Sequence, residues 1–331
     1  MEIFFPVYYH GFQCLAGACP DSCCKEWTVD VDPDAARQYR LLEGPLGDRL
    51  RQVLTDTPDG TVMEIENGRC PMWRDDGLCR IHAELGHDAL CKTCREFPRL
   101  THDYGDFIEL GLELSCPEAA RLILTSPGKL LVQAHPGGSE PEYEQEIMDI
   151  LRQSRKAALC FLETAENIPH ALAAILLYAH DVQAALDGDS APLPAPEDCL
   201  REIEHYHGDG NVAEILSFFR SLEILTPQWR QLLETAPQPI QWDRPLRKLA
   251  GYFFTRYWLQ AISDYDLICR VKLAITACLL VGSLGGNIVE TAQLFSKEIE
   301  NDPDNVDAIL DGAYTSPALT DANLLALLTK E

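Results

Sequence analysis

The hydrophobic rhythm of the chain changes between its first third and the rest. From Pro117 onward, apart from a turn-rich stretch near residue 135, apolar positions recur every three or four residues, the spacing that lays one face of an α-helix on a core. Helices are expected at about 142–165, 169–186, 211–223, 228–235, 244–262, 265–282, 287–300, 303–311 and 320–329. The proline-rich loop GDSAPLPAPED, residues 188–198, interrupts the series. One uncharged run, from Leu273 to Val289, approaches the length of a membrane span but is too short and too rich in glycine. It reads as a buried core helix stopped by Gly282, Gly285 and Gly286.

The first third follows other periods. Trp27, Val29 and Val31 alternate with polar neighbours, which predicts a short half-buried strand ended by Pro33. A helix follows from about Asp34 to Leu54, with apolar Ala35, Tyr39, Leu42, Leu46 and Leu50 and an interruption at Gly44 and Pro45. Beyond it come loops and single turns, with a short helix through HAELGHDAL, and metal coordination is expected to replace a hydrophobic core there. Pro117 suits the first turn of a helix through Glu118 to Leu124. The turn-rich stretch SPGKLLVQAHPGGSEPEYE sets a domain boundary near residue 135. The expected fold class is mainly α: a loop-rich, cysteine- and metal-binding N-terminal domain over residues 1–135, then a helical domain over 136–331.

Composition narrows the partners. With 46% hydrophobic and 24% charged residues, the 331-residue chain has the make-up of a soluble globular protein. Its 52 acidic against 27 basic residues leave a formal charge of −25, which repels nucleic-acid phosphates and anionic membranes. No nucleic-acid or membrane partner is expected, and basic protein segments or cationic ligands fit better. The opening MEIFFPVYYHGFQC has no basic n-region and no small-residue cleavage site, so a cytoplasmic location is expected.

Cysteine placement carries the chemistry. Of the 13 cysteines, four crowd into CLAGACPDSCC as Cys14, Cys19, Cys23 and Cys24, and five more follow at Cys70, Cys79, Cys91, Cys94 and Cys116. Thiolates bind soft or borderline metals, and short spacings joined to distant cysteines let a loop-rich chain wrap a metal site. Disulfides fit less well, because the total is odd and an adjacent pair such as Cys23 and Cys24 is strained as a disulfide. Spacing alone does not separate zinc from an iron–sulfur cluster. Thiols outnumber histidines here, which favours [4Fe–4S]. His10, His82, His87 and His102 are near enough in sequence to ligate, yet a single loop histidine more often serves a hydrogen bond or faces solvent, and they stay outside the ligand set. Cys24 follows Cys23 directly, a departure from the spacing of an ordinary radical S-adenosylmethionine (SAM) cluster. No glycine-rich turn follows a predicted strand, so a Rossmann-type SAM site is not expected.

Taken together, FQCLAGACPDSCCKEWTVDVD, CPMWRDDGLCRIHAELG, TCREFPR and LELSCPEAARLIL resemble the ordered motifs of the flagellin lysine N-methylase family, over residues 8–125. Their core is similar to a wider group of zinc- or iron-chelating proteins with clustered cysteines. The resemblance implies methyl transfer from SAM to a lysine side-chain nitrogen of a protein substrate, flagellin or another, by an enzyme holding a [4Fe–4S] cluster, with zinc as the alternative metal. It implies Cys14, Cys19, Cys23, Cys24, Cys70, Cys79, Cys94 and Cys116 as metal ligands, with Cys91 ranked below them. The alternative reading is a non-enzymatic zinc- or iron–sulfur-binding module for protein interaction or redox chemistry.

A lysine amine must lose its proton before it attacks a methyl carbon, which costs about 4.6 kcal/mol at pH 7 from a reference pKa of about 10.4. Tyr104, Glu109 and Glu113 are the candidate bases within the motif-bearing region. The SAM sulfonium could rest on an aromatic face, for which Trp27 and Trp73 are available. Arg95 and Arg99 can pair with a carboxylate or stabilise an electron-rich cluster.

Overall fold

The computed structural model describes residues 1–25, 27–203, 206 and 208–330. In chain order the first third contains β1 (Glu2–Pro6), β2 (Val29–Val31), α1 (Pro33–Leu41), α2 (Gly44–Val53), β3 (Leu54–Thr57), β4 (Gly60–Met63), α3 (Arg80–Leu85), α4 (Lys92–Glu96), β5 (Arg99–Asp103), β6 (Phe107–Leu112), α5 (Pro117–Thr125) and β7 (Leu130–Ala134). The remainder is helical: α6 (Gln145–Thr164), α7 (Ile168–Leu186), α8 (Leu200–Ile203), α9 (Val212–Arg220), α10 (Pro227–Leu233), α11 (Arg244–Tyr257), α12 (Ile268–Leu284), α13 (Ile288–Ile299), α14 (Pro303–Thr315) and α15 (Asp321–Thr329). The protein is mainly α, as its periodicity predicts.

Local chemistry explains most helix boundaries. Side chains of Asp32, Asn167, Asn211, Thr226, Asp243, Asn287, Asp302 and Thr320 each accept a hydrogen bond from the first turn they precede. Helix α12 is buried along its whole length, as a core helix should be, and it ends at Gly285, whose φ of 72° suits glycine. Gly282 lies inside the helix instead of ending it, in close approach to Ile240. Among the described residues no helix is long and apolar enough to cross a membrane.

Strand β2 is the one that the alternation of Trp27, Val29 and Val31 predicts, and the other strands lie outside what periodicity foresees. One sheet has the strand order β5-β6-β1-β7, with β1 parallel to β6 and antiparallel to β7. The other is a three-stranded antiparallel sheet in the order β2-β4-β3. Two hydrophobic cores accompany them. A small one gathers Val29, Val31, Tyr39, Leu50, Met63, Met72 and Ile81, so this segment has an apolar core of its own where metal alone was expected to hold it. The large one joins Phe12, Phe107, Leu112 and the apolar face of α5 to the helices from α6 onward. Helix α5 packs on α11 and α13.

A cavity lined by nine thiols

The border between the two cores is where the cysteines meet. Cys14, Cys19, Cys23, Cys24, Cys70, Cys79, Cys91, Cys94 and Cys116 all line one cavity of about 390 Å³, and all thirteen cysteines are free thiols. The structure thus brings together every cysteine expected as a ligand, and adds Cys91 on equal terms. Trp27, Arg95 and Arg99 line the same cavity, as do His82 and His87. Trp73, His10 and His102 are not part of its wall. Among the described residues, no three Cys, His, Asp or Glu side chains converge as a single-ion site does.

Backbone hydrogen bonds set these thiols in place. The Asp32 carboxylate caps α1 through Ala35 N at 3.0 Å and also accepts from Lys92 N at 2.7 Å, fixing the start of α4 directly after Cys91. Thr93 Oγ1 donates to Asp30 O at 2.9 Å, and Tyr39 Oη donates to Ala89 O at 2.7 Å, so α1 and β2 hold the Cys91–Cys94 turn from two sides. Cys70 N donates to Cys24 O at 2.7 Å, joining the two cysteine-bearing loops. Gly17 and Gly77 bring the loop before Cys19 against the loop before Cys79. A Cβ on Gly77, where φ is 78°, would stand 3.4 Å from Gly17 Cα.

Burial controls the thiols. It pushes Cys70 up to about 12 and Cys116 up to about 11, although amide N–H groups opening α5 pull Cys116 the other way. Cys19 and Cys79 are raised by the same desolvation. Two thiol pairs hydrogen-bond internally. Cys24 is lowered by its bond with Cys23 while Cys23 is raised, and Cys91 is lowered by its bond with Cys94 while Cys94 is raised. The desolvated members of this soft donor set favour neutral thiols on their own and thiolates when a cation compensates their charge.

The wall is completed by groups without a sequence signature. Met63, Met72 and Phe97 give it apolar surface, and the Trp27 and Phe97 rings meet edge to face at 5.6 Å. The Arg99 guanidinium lies over the Phe12 ring at 5.2 Å. Asp21, in the first cysteine loop, receives Lys25 at 2.7 Å and Lys297 and Gln293 from α13. Against the upward push of burial, these partners hold its carboxyl below the usual range. Gln293 Nε2 also donates to Ser115 O at 2.7 Å, so one helix steadies both the Asp21 loop and the approach to Cys116.

The candidate bases are dispersed. Glu109 is held by Arg155 in a two-pronged ion pair on α6, with one bond of 2.8 Å, and does not line the cavity. Tyr104 stacks on Phe107 at 4.7 Å, its phenol raised by burial, also away from the wall. Glu113 lies just behind it: Ser115, a wall residue, donates its hydroxyl to Glu113 Oε2 at 3.3 Å. Burial raises the Glu113 carboxyl above the ordinary range, against the Arg256 guanidinium.

Three curated proteins are similar to the chain. The flagellar biosynthetic protein FliU of Salmonella muenchen is 27% identical over 171 residues, covering 47% of this chain and 95% of that protein. Lysine-N-methylases of Salmonella typhimurium and Salmonella choleraesuis are each 31% identical over 135 residues, covering 37% of this chain and 32% of their own length. The chain therefore spans about a third of the length of the lysine-N-methylases it matches. No family model matches the chain, and no solved structure matches it. The two lysine-N-methylase matches relate the chain to the flagellin lysine N-methylase family.

Proposed function

We propose that this relative of the lysine-N-methylases transfers a methyl group from SAM to the side-chain nitrogen of lysine on a protein substrate, flagellin or a related protein, at the cysteine-lined cavity. The observation that carries the reading is that all eight expected ligand cysteines line one cavity together with Trp27, Arg95 and Arg99. The thiols suit a [4Fe–4S] cluster: they are soft donors, several of them desolvated, and spread around a volume instead of aimed at one point. Zinc is the alternative occupant. When bound, the cluster supplies cross-links that order the loops and a centre able to exchange an electron.

The chain's own residues do the rest. Trp27 offers an aromatic face to a sulfonium cation, and Arg95 and Arg99 offer guanidinium groups to a carboxylate. Glu113, reached through the Ser115 hydroxyl, can take the proton a lysine ammonium must lose, and its raised affinity for protons suits a general base better than an ordinary carboxylate would. Apolar Met63, Met72 and Phe97 keep the wall dry, which favours the neutral amine. A second reading is a metal-ordered module without catalysis, for which the match along nearly the whole of FliU, a flagellar biosynthetic protein, suggests a flagellar setting.

Incubating purified, anaerobically reconstituted protein with SAM and flagellin separates the two readings. Methyl-lysine detected by mass spectrometry supports the enzyme, and its absence together with SAM failing to bind by calorimetry supports the module.

A further inference from the structure

Acidic residues outnumber basic ones by 52 to 27, so the chain has carboxylates to spare for its arginines. Arg74 pairs with Asp76, Arg80 with Glu84, Arg121 with Glu118 and Arg155 with Glu109. Arg95 and Arg99 are left out. Both line the cavity and both are exposed, and among the described residues neither guanidinium has a carboxylate within ion-pair distance or a hydrogen-bond partner. They are nonetheless held in place. Arg95 belongs to α4, whose start is tied to the Asp32 carboxylate and, through Thr93, to Asp30 of β2. Arg99 opens β5 opposite Leu112 of β6, and its seat over the buried Phe12 ring leaves its N–H fork free for an anion.

Other charges on the wall are already matched. Asp21 receives Lys25, Lys297 and Gln293, and Glu118 receives Arg121 through bonds of 2.8 and 2.6 Å. Gln13, Leu15 and Ala16 are exposed on the wall and carry no charge, and His82 and His87 add no negative charge. The unmatched charge at the entrance is therefore positive, in a chain whose total is −25. A lysine ammonium approaching alone is repelled there. A lysine that arrives with a carboxylate beside it on the same polypeptide brings the missing partner, and an arginine fork binds a carboxylate through two charge-assisted hydrogen bonds.

We propose that Arg95 and Arg99 select the substrate: the lysine accepted is one flanked in its own polypeptide by an aspartate or glutamate, whose carboxylate the two guanidiniums bind. The inference rests on the reading that the cavity acts on a lysine of a protein. Exposure favours a carboxylate of the substrate over that of SAM. Met63 and Met72 are buried in the wall, whereas both arginines stand at the surface, where a polypeptide arrives first.

Peptide binding tests this without requiring turnover. Peptides with a single lysine, flanked by glutamate, glutamine or arginine, are titrated by fluorescence anisotropy into the anaerobically reconstituted chain and its Arg95→Glu/Arg99→Glu variant. SAM is titrated into both by calorimetry. The glutamate peptide should bind the unaltered chain about tenfold more tightly than the glutamine peptide, with a ratio that shrinks as salt rises. The variant should prefer the arginine peptide and keep its affinity for SAM. Equal binding of the glutamate and glutamine peptides, or binding of none, overturns the proposal. So does a variant that weakens all three peptides alike, which marks a structural role, or one that loses SAM, which assigns the carboxylate to SAM. Should circular dichroism show the variant unfolded, the glutamate-to-glutamine ratio of the unaltered chain and its salt dependence decide alone. Methyl-lysine assays on the same peptides keep the two readings apart: flank-dependent binding without methylation removes the enzyme and leaves the selectivity, and methylation at equal rates on every flank does the reverse.

Discussion

Lys297 on α13 reaches into the first cysteine loop and places its ammonium 3.1 Å from both carboxylate oxygens of Asp21. Two stretches of chain far apart in sequence are thereby locked at one wall of the cavity. The lysine is almost wholly buried and the aspartate largely so, so the contact is shielded from water and its loss is felt in stability, although Lys25 and Gln293 still reach Asp21.

Lys297→Met is expected to lower unfolding stability by about 1–3 kcal/mol. It should also speed alkylation of Cys19 and Cys23 in the metal-free protein, because their loop loses its tie to α13. Urea titration and mass spectrometry of iodoacetamide adducts measure the two effects. An unchanged alkylation rate would remove Lys297 from the architecture of the cavity.

Glu113→Gln is expected to reduce methyl-lysine formation by about 10²–10⁴-fold, the usual worth of a general base. Because burial raises the Glu113 carboxyl, the rate of the unaltered protein should climb as pH rises through a value above the ordinary glutamate range. The variant should lack that climb. A pH–rate profile with the same slope in both proteins would assign the proton to another group.

Asp321 joins His180 on α7 at 2.9 Å and Lys272 on α12 at 2.9 Å, and its carboxyl is lowered to about 2, first by His180 and then by Lys272, against desolvation. A depressed carboxylate contributes stability that is complete above its unfolded value and fades as pH falls through its folded one. The stability gap between the unaltered protein and Asp321→Asn should therefore close as pH falls from about 4 to about 2. Denaturant titrations across that window measure it, and a gap that widens in acid contradicts the assignment.

Leu50 is fully buried in the small core, so Leu50→Ala should cost about 2–5 kcal/mol through lost transfer energy and the cavity left behind. The loss should fall on the segment of α1 to α4, with amide exchange accelerating there and not in α12. Uniform acceleration would show that the two cores unfold as one.

The helices could be read in the sequence because each carries its own evidence. Helix α7, expected at 169–186, spans Ile168–Leu186, with the Asn167 cap in front and an apolar face throughout. The four-stranded sheet could not be read that way, since β1 draws its partners from residues 107–109 and 130–134. LLVQA, read as part of a turn-rich boundary, is strand β7 because β1 waits beside it. Within the cavity, cysteine spacing pointed to residues that line one wall, and Cys91, ranked below the others, is buried in that wall as well. Nothing near Lys297 in sequence announces a partner at Asp21. Long-range ion pairs of that kind become visible only once both units are folded.

The contribution of α13 to the cavity has a consequence for how the protein is made. A nascent chain exposes its nine N-terminal thiols well before Gln293 and Lys297 leave the ribosome, so the pocket lacks part of its wall for most of synthesis. Closure of that wall thus waits on the synthesis of α13. A product truncated before α13 would present the same cysteines without the clamp on the Asp21 loop.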